Sequence, residues 1–309
     1  MKMLVLAGSF CVLALSVSAL AQDKKGKPDR IFQESPVVEK GEKVRLLSDG
    51  FKFTEGPVAD PEGNVYFTDQ PNDRIVRWDA ETGKTEDFLK PCGRSNGLYF
   101  DRQGNLLACA DEKNELWSIS LKDRSCTVLI RDFKDKKLNG PNDLWVHPHG
   151  WLFFTDPFYK RPYWQHSDRE QDGQHVYRYT ALTGETVRVE DGIVQPNGII
   201  GTADGKYLYV ADIGDRKTYR YRVGMTGDLT DRKLFCEMGS DGMTLDSKGN
   251  LYLTGRGVTV FDPDGKKIEQ IDIPEGWTAN VCFGGRDGKM LMVTAMDSLY
   301  GVRMKVGGQ

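Results

Sequence analysis

The sequence predicts an all-β chain closed into a six-bladed β-propeller with four-stranded blades. Three observations predict it: a glycine turn that recurs six times, a polar residue in constant phase with that turn, and strand-like runs with no helical periodicity. The turn glycines are Gly63, Gly104, Gly150, Gly205, Gly249 and Gly288, spaced 41, 46, 55, 44 and 39 residues apart, the length of one blade. Eight positions before each stands a polar residue: Glu55, Asn96, Asn142, Asn197, Asp241 and Asn280. The chain has 309 residues, and these repeats occupy nearly all of it after residue 43, so one domain over 43–309 is expected.

The segment before the repeats divides in two. Lys2, a run over 3–20 without a charge, and the small-x-small triplet Ala19, Leu20, Ala21 read as an export signal over 1–21. The mature protein is then expected to be periplasmic or secreted, with no stable membrane anchor. Residues 22–42 are polar, with Lys24, Lys25, Lys27, Pro28, Asp29 and Arg30 close together, and read as a flexible linker. Lys-Val-Arg-Leu-Leu at 43–47 is strand-like. It is expected to form the outer strand of the blade built from about 279–305, because an open ring would leave two sheet edges unpaired.

Within each repeat, apolar runs flank the glycine turn, and the second run is rich in β-branched and aromatic residues, as in Val-Tyr-Phe-Thr at 65–68. Two more strands follow, joined by turns such as Ala-Glu-Thr-Gly at 80–83 and Asp-Pro-Asp-Gly at 262–265. The net charge of −3 and the lack of a basic patch downstream of the lead-in argue against a nucleic-acid partner. Removal of the signal leaves Cys92, Cys109, Cys126, Cys236 and Cys282, an odd number, so at least one stays unpaired even where disulfides form. Cys109 and Cys282 sit in apolar runs and are expected to be buried. His147 and His149 fall on the third glycine turn and read as surface residues at the channel end opposite the polar ring.

The first strand of a propeller blade lines the central channel, so the six phased polar residues should meet at one mouth. They offer carboxylate and amide oxygens and neither His nor Cys. Such hard donors suit Ca²⁺, Mg²⁺ or Mn²⁺, and Ca²⁺ tolerates the least regular geometry. The charges of Glu55 and Asp241 in a narrow space ask for a cation. Asn96 and Asn280 read as organisers of channel water or, for Asn96, as a substrate contact. Strand alternation turns Asp143, next to Asn142, away from the channel. The second strands climb back towards the ring, so the loops after them border it. The longest, 157–175, is a candidate lid: Phe158, Tyr159, Tyr163 and Trp164 supply flat faces, Lys160, Arg161 and His166 supply donors, and Tyr163 and Trp164 are assigned to substrate.

Six motifs occur in order: Thr-Glu-Gly-Pro at 54–57, Gly-Pro-Asn-Asp-Leu at 140–144, Phe-Thr-Asp-Pro at 154–157, Pro-Asn-Gly at 196–198, Ser-Asp-Gly-Met at 240–243 and Asn-Val-Cys-Phe-Gly-Gly at 280–285. With them the chain resembles the SMP-30/gluconolactonase/regucalcin-like family over almost its whole length after residue 43. The resemblance implies one divalent metal ion at the channel mouth on Glu55, Asn197 and Asp241, with Asn142 as a fourth ligand or a substrate contact. Ca²⁺ is the first choice, with Mg²⁺, Mn²⁺ and Zn²⁺ as alternatives. It also implies hydrolysis of a small-molecule substrate, a sugar-acid lactone, with Asp241 as the general base. Two other readings stay open: a calcium-dependent phosphotriesterase or arylesterase, and a non-enzymatic binding propeller, which has no need of Glu55 and Asp241 facing each other.

Overall fold

The computed structural model describes residues 30–309; the export-signal reading over 1–21 and the start of the linker lie outside them. Six four-stranded antiparallel sheets follow one another around a central axis. Their first strands are Thr54–Ala59, Ser95–Phe100, Leu144–Val146, Pro196–Gly201, Met243–Leu245 and Asn280–Gly284. The sixth blade is completed by Arg45–Ser48, which pairs with Ser298–Arg303 so that Arg45 lies opposite Gly301 and Leu46 opposite Tyr300. The ring is therefore closed by the N-terminal strand, as the 43–47 pattern predicts, and no blade edge is left open at the junction.

The core lies between neighbouring sheets. Tyr66, Ile75 and Phe88 of blade 1 pack on Leu98, Leu106 and Ile119 of blade 2. Trp145 and Phe153 of blade 3 pack on Ile199, Leu208 and Val210 of blade 4. They come from the runs on either side of each glycine turn and from the outer strands behind them, and their burial drives the sheets face to face.

The turns at the far end of the channel are self-contained. Asp-x-x-Gly-Asn occurs at 60–64, 101–105 and 246–250. In each, one Asp oxygen accepts the Asn backbone N–H (2.8, 2.8 and 2.9 Å) and the other accepts its Nδ2 (2.8, 2.9 and 2.7 Å). Gly63 in the first has φ +86°, and a Cβ there would lie 2.2 Å from the Gly285 carbonyl oxygen, so only glycine fits. The C-terminal residues cross this end from blade 6 to blade 4. Gly308 bridges Asp246, Ser247 N–H donates to Gly307 O at 2.9 Å, and Ala203 N–H donates to Gln309 Oε1 at 3.0 Å.

Two sequence expectations change here. Residues 30–42 do not behave as a linker. Phe32 and Val38 are 2% and 0% exposed within the blade 5–6 core, Val38 bridges Met304, and Arg30 pairs with Glu269 at 3.1 Å. The stretch is polar on average, but its few apolar residues are spaced to reach that core. His147 does lie at the far end, yet it is buried rather than on the surface. Its Nε2 is 3.0 Å from Gly205 O, and its Nδ1 accepts the His149 N–H at 2.9 Å, which ties blade 3 to blade 4. The five described cysteines are all free; Cys109 and Cys282 are buried as expected, Cys92 and Cys236 are buried too, and Cys126 is exposed.

Candidate active site at the channel mouth

In the first four blades the polar ring residue sits at a local departure from regular pairing. The register slips by one residue between Glu55 and Val58, between Ser95 and Leu98, and between Pro196 and Ile199. In blade 3 both Asn142 and Asp143 face Thr155: Asn142 N–H donates to Thr155 O at 2.9 Å, and Thr155 N–H donates to Asp143 O at 3.0 Å. Such bulges re-aim side chains. They explain why Asp143 does not turn away from the channel, as simple alternation predicts, but points into it, with Asn280 Nδ2 3.4 Å from its Oδ2.

The glycines after the ring residues serve the same geometry. A Cβ on Gly56 would come 2.2 Å from Asn96 O, and one on Gly97 would come 2.6 Å from Asn142 O. Neighbouring first strands touch backbone to backbone around the axis, so these Glu-Gly and Asn-Gly pairs are close-approach sites rather than turns. Thr155 Oγ1 donating to Asn197 O at 2.7 Å and Thr68 Oγ1 donating to Asn96 O at 3.0 Å lock adjacent blades at this level.

The ring so built is asymmetric. Asn197 Nδ2 donates to Asp241 Oδ1 at 2.8 Å and to the Tyr159 hydroxyl at 2.9 Å. Trp277 Nε1 donates to Asp241 Oδ2 at 2.7 Å. Glu55 Oε2 accepts its own neighbour's N–H, that of Gly56, at 3.0 Å. Burial first, then repulsion from Asp241 and Asp143, holds the Glu55 carboxyl well above the usual range. Burial pushes Asp143 up to about 7, with Asp241 adding to it. Burial also pushes Asp241 up to about 6, against the donors Trp277 and Asn197 and the charge of Arg161.

Three carboxyl groups thus share a dehydrated space with one nearby guanidinium. At the ring, two buried amide oxygens, Asn96 Oδ1 and Asn197 Oδ1, have no hydrogen-bond partner among the described residues. An unpaired buried acceptor costs about 1–3 kcal/mol. A hard divalent cation would relieve both the repulsion and the orphaned Asn197 oxygen, so the residues present fit an oxygen-ligated metal. Among the described residues no cluster of three or more His, Cys, Asp and Glu side chains has metal-binding spacing. The set that converges here is instead two ring carboxylates with amide oxygens.

The loop over 157–175 closes one side of the mouth and is pinned by Asp111. The equivalent residues Asp69, Asp156 and Asp212 each accept two backbone N–H groups from the segment entering their own blade: Lys52 and Phe53, Asn139 and Gly140, Val194 and Gln195. Asp111 Oδ2 instead accepts from Arg161 Nε at 2.7 Å and from the Tyr163 hydroxyl at 2.6 Å, while Trp164 Nε1 donates to Asp111 O at 2.7 Å. The polar atoms of Tyr163 and Trp164 are therefore engaged in anchoring the loop. The loop residues nearest the ring are Tyr159, bonded to Asn197, and Arg161, whose charge acts on Glu55 and Asp241.

Glu55, Asn197 and Asp241 come together as the sequence reading expects, and buried Asn96 and Asn142 occupy the same end. Trp277 is the residue that reading missed; its place just ahead of the first strand of blade 6, in a loop opening on the mouth, was the available signal. Gly-Arg-Ser-Asn-Gly at 93–97 has the spacing of a serine-nucleophile elbow. Ser95, however, is fully buried and donates to Cys92 O at 2.6 Å, and the segment opens a strand rather than a helix.

A family model described as the SMP-30/Gluconolactonase/LRE-like region matches residues 53–297. The gluconolactonase of Zymomonas mobilis is 27% identical over 294 residues, covering 86% of this chain and 82% of the relative. The pentonolactonase of Haloferax volcanii is 30% identical over 262 residues, covering 81% and 84%. The solved structure of a gluconolactonase from Xanthomonas campestris aligns with a TM-score of 0.80 at 25% identity, covering 91% of this chain and 99% of that one. By sequence, by blade architecture and by the order of its motifs, the chain belongs to the SMP-30/gluconolactonase/LRE-like family.

Proposed function

We propose that the protein is a divalent-cation-dependent lactonase that opens a small lactone ring at the mouth bordered by Glu55, Asn142, Asn197 and Asp241. The observation that carries this reading is buried Glu55 and half-buried Asp241 repelling each other beside the unpartnered Asn197 Oδ1. Two lactonases similar to it in sequence, a gluconolactonase and a pentonolactonase, support the substrate class.

Glu55, Asn197 and Asp241 would hold the cation, with Asn142 beside them; Ca²⁺ suits this donor set best. The bound ion supplies Lewis-acid polarisation of the substrate carbonyl and compensates the local charge. Asp241 takes the proton of the attacking water as general base. Trp277 and Asn197, one on each carboxylate oxygen, fix the plane in which Asp241 does so. Arg161 brings a positive charge to the rim and favours the oxyanion that develops. Tyr159 accepts from Asn197, so its own proton remains available to a substrate oxygen. Export, read from residues 1–21, belongs to this proposal: the lactones would be met outside the cytoplasm.

Acid release from a panel of sugar and aliphatic lactones, before and after chelation and with Ca²⁺, Mg²⁺, Mn²⁺ and Zn²⁺ returned singly, tests the reading. Turnover lost to the chelator and restored by one ion is expected. An absence of turnover with every lactone and every ion would overturn it.

A further inference from the structure

We propose that a cleft between blades 4 and 5 is a specificity subsite that takes an apolar substituent, alkyl or aryl, carried by the lactone ring. The inference rests on the lactonase reading and names its substrate class more closely.

The cleft has a volume of about 360 Å³ and is lined by Ile213, Met238, Gly255, Trp277 and Asp241 itself, so it opens directly onto the reaction centre. That volume lies near the lower end of the ~300–1,000 Å³ range of small-molecule sites. Its origin is visible in the repeat. The second strands of blades 1, 3 and 4 end in Asp69, Asp156 and Asp212, and that of blade 2 is followed directly by Asp111; the second strand of blade 5, Leu251–Gly255, ends in glycine. The side chain that elsewhere fills the space beneath the following loop is missing at this position. The indole of Trp277 forms one wall, and Met238 Cε is 3.9 Å from where a Gly255 Cβ would be.

The Ser240, Thr254 and Trp277 side chains inside the cleft already have hydrogen-bond partners. Ser240 Oγ donates to Gly242 O; Thr254 Oγ1 donates to Ala279 O at 2.8 Å. Trp277 Nε1 is on Asp241, and Gly255 O accepts the Thr278 N–H at 2.8 Å. Away from Asp241, the side-chain surface left for a ligand is Ile213, the Met238 thioether and the indole face. A hydroxyl-rich substituent would lose water there without replacing its hydrogen bonds, whereas an alkyl or aryl group gains by burial. Exposed Arg216 and Glu237 stand at the outer lip, where water still reaches them.

The test uses the cation-loaded full-length protein and a series of γ-lactones bearing 4-alkyl groups of rising length, from unsubstituted γ-butyrolactone upwards. For the first few carbons kcat/KM should rise about fourfold per methylene, equivalent to about 0.8 kcal/mol each. Met238→Asp should flatten that rise, and Met238→Leu should keep it. Ile213→Asp gives a second, independent flattening, and thermal melts of all three establish folding. A flat or falling series in the wild type, with the unsubstituted lactone still hydrolysed, overturns the subsite and leaves the lactonase reading intact. A rise that survives both Asp variants also overturns it. No hydrolysis of any lactone, sugar lactones included, removes both readings together.

Discussion

The two ends of the channel use the same residue types to opposite effect. At the far end, Asp60, Asp101 and Asp246 are each satisfied by an Asn four residues on, and Asp246 also takes the Tyr252 hydroxyl at 3.0 Å. At the ring end, eight residues before each turn glycine, Glu55 and Asp241 crowd together while Asn96 and Asn197 keep an unpartnered oxygen. Composition does not separate these ends. The separation lies in whether the chain supplies its own partners: where it does, polar groups stabilise the fold, and where it does not, they await a ligand.

Exchanging the two behaviours by mutation should therefore separate stability from activity. The largest effect is expected at Glu55. Glu55→Gln should lower turnover by on the order of 10³-fold, the scale of a lost metal or oxyanion contact. Its metal-free form should melt no lower than the wild type, because one member of a repelling buried set is gone. Steady-state kinetics and calorimetry on the same sample measure both. A melting point that drops together with activity would mean that the ring is structural.

Next in size is Asp246→Ala at the opposite end. It leaves the Tyr252 hydroxyl and the Asn250 amide buried without their acceptor and should destabilise the protein by about 2–4 kcal/mol. Turnover per folded molecule should not change. Chemical denaturation gives the first quantity and initial rates well below the transition give the second.

A smaller effect is expected between these extremes, at the loop anchor. Asp111→Asn weakens its charge-assisted bond from Arg161, worth about 1.5–3 kcal/mol. The expected result is roughly a tenfold fall in kcat/KM, carried mainly by KM, as the loop loses its set position. A loss as deep as that of Glu55→Gln would instead put Arg161 or Asp111 in the chemical step.

Most of the fold was legible because a repeat multiplies a weak signal. One Asn or Asp before a strand says little, but six in constant phase with a glycine turn specify blades, channel and mouth. The N-terminal closure was legible for the same reason, as the strand missing from the sixth repeat. Three features were not. The bulge at Asn142 and Asp143 depends on pairing with Thr155, which period-2 alternation does not anticipate. The anchoring of Tyr163 and Trp164 depends on Asp111, some fifty residues away and on another blade. The burial of His147 depends on Gly205 of the next blade. Each is a non-local contact made by a residue that looks ordinary in its own neighbourhood.

If the ring is, as proposed, a cation site that the chain itself leaves incomplete, direct binding tests it before any substrate is chosen. Thermal unfolding of the chelated protein should be followed as Ca²⁺ is titrated in, with Asp241→Asn alongside. At a hundredfold excess over its Kd the ion should stabilise the wild type by about 2.7 kcal/mol, a rise in Tm of roughly 5 °C for a domain of this size, and should leave Asp241→Asn unmoved. Equal shifts in both proteins, or none in the wild type with any divalent ion, would contradict the proposed cation site.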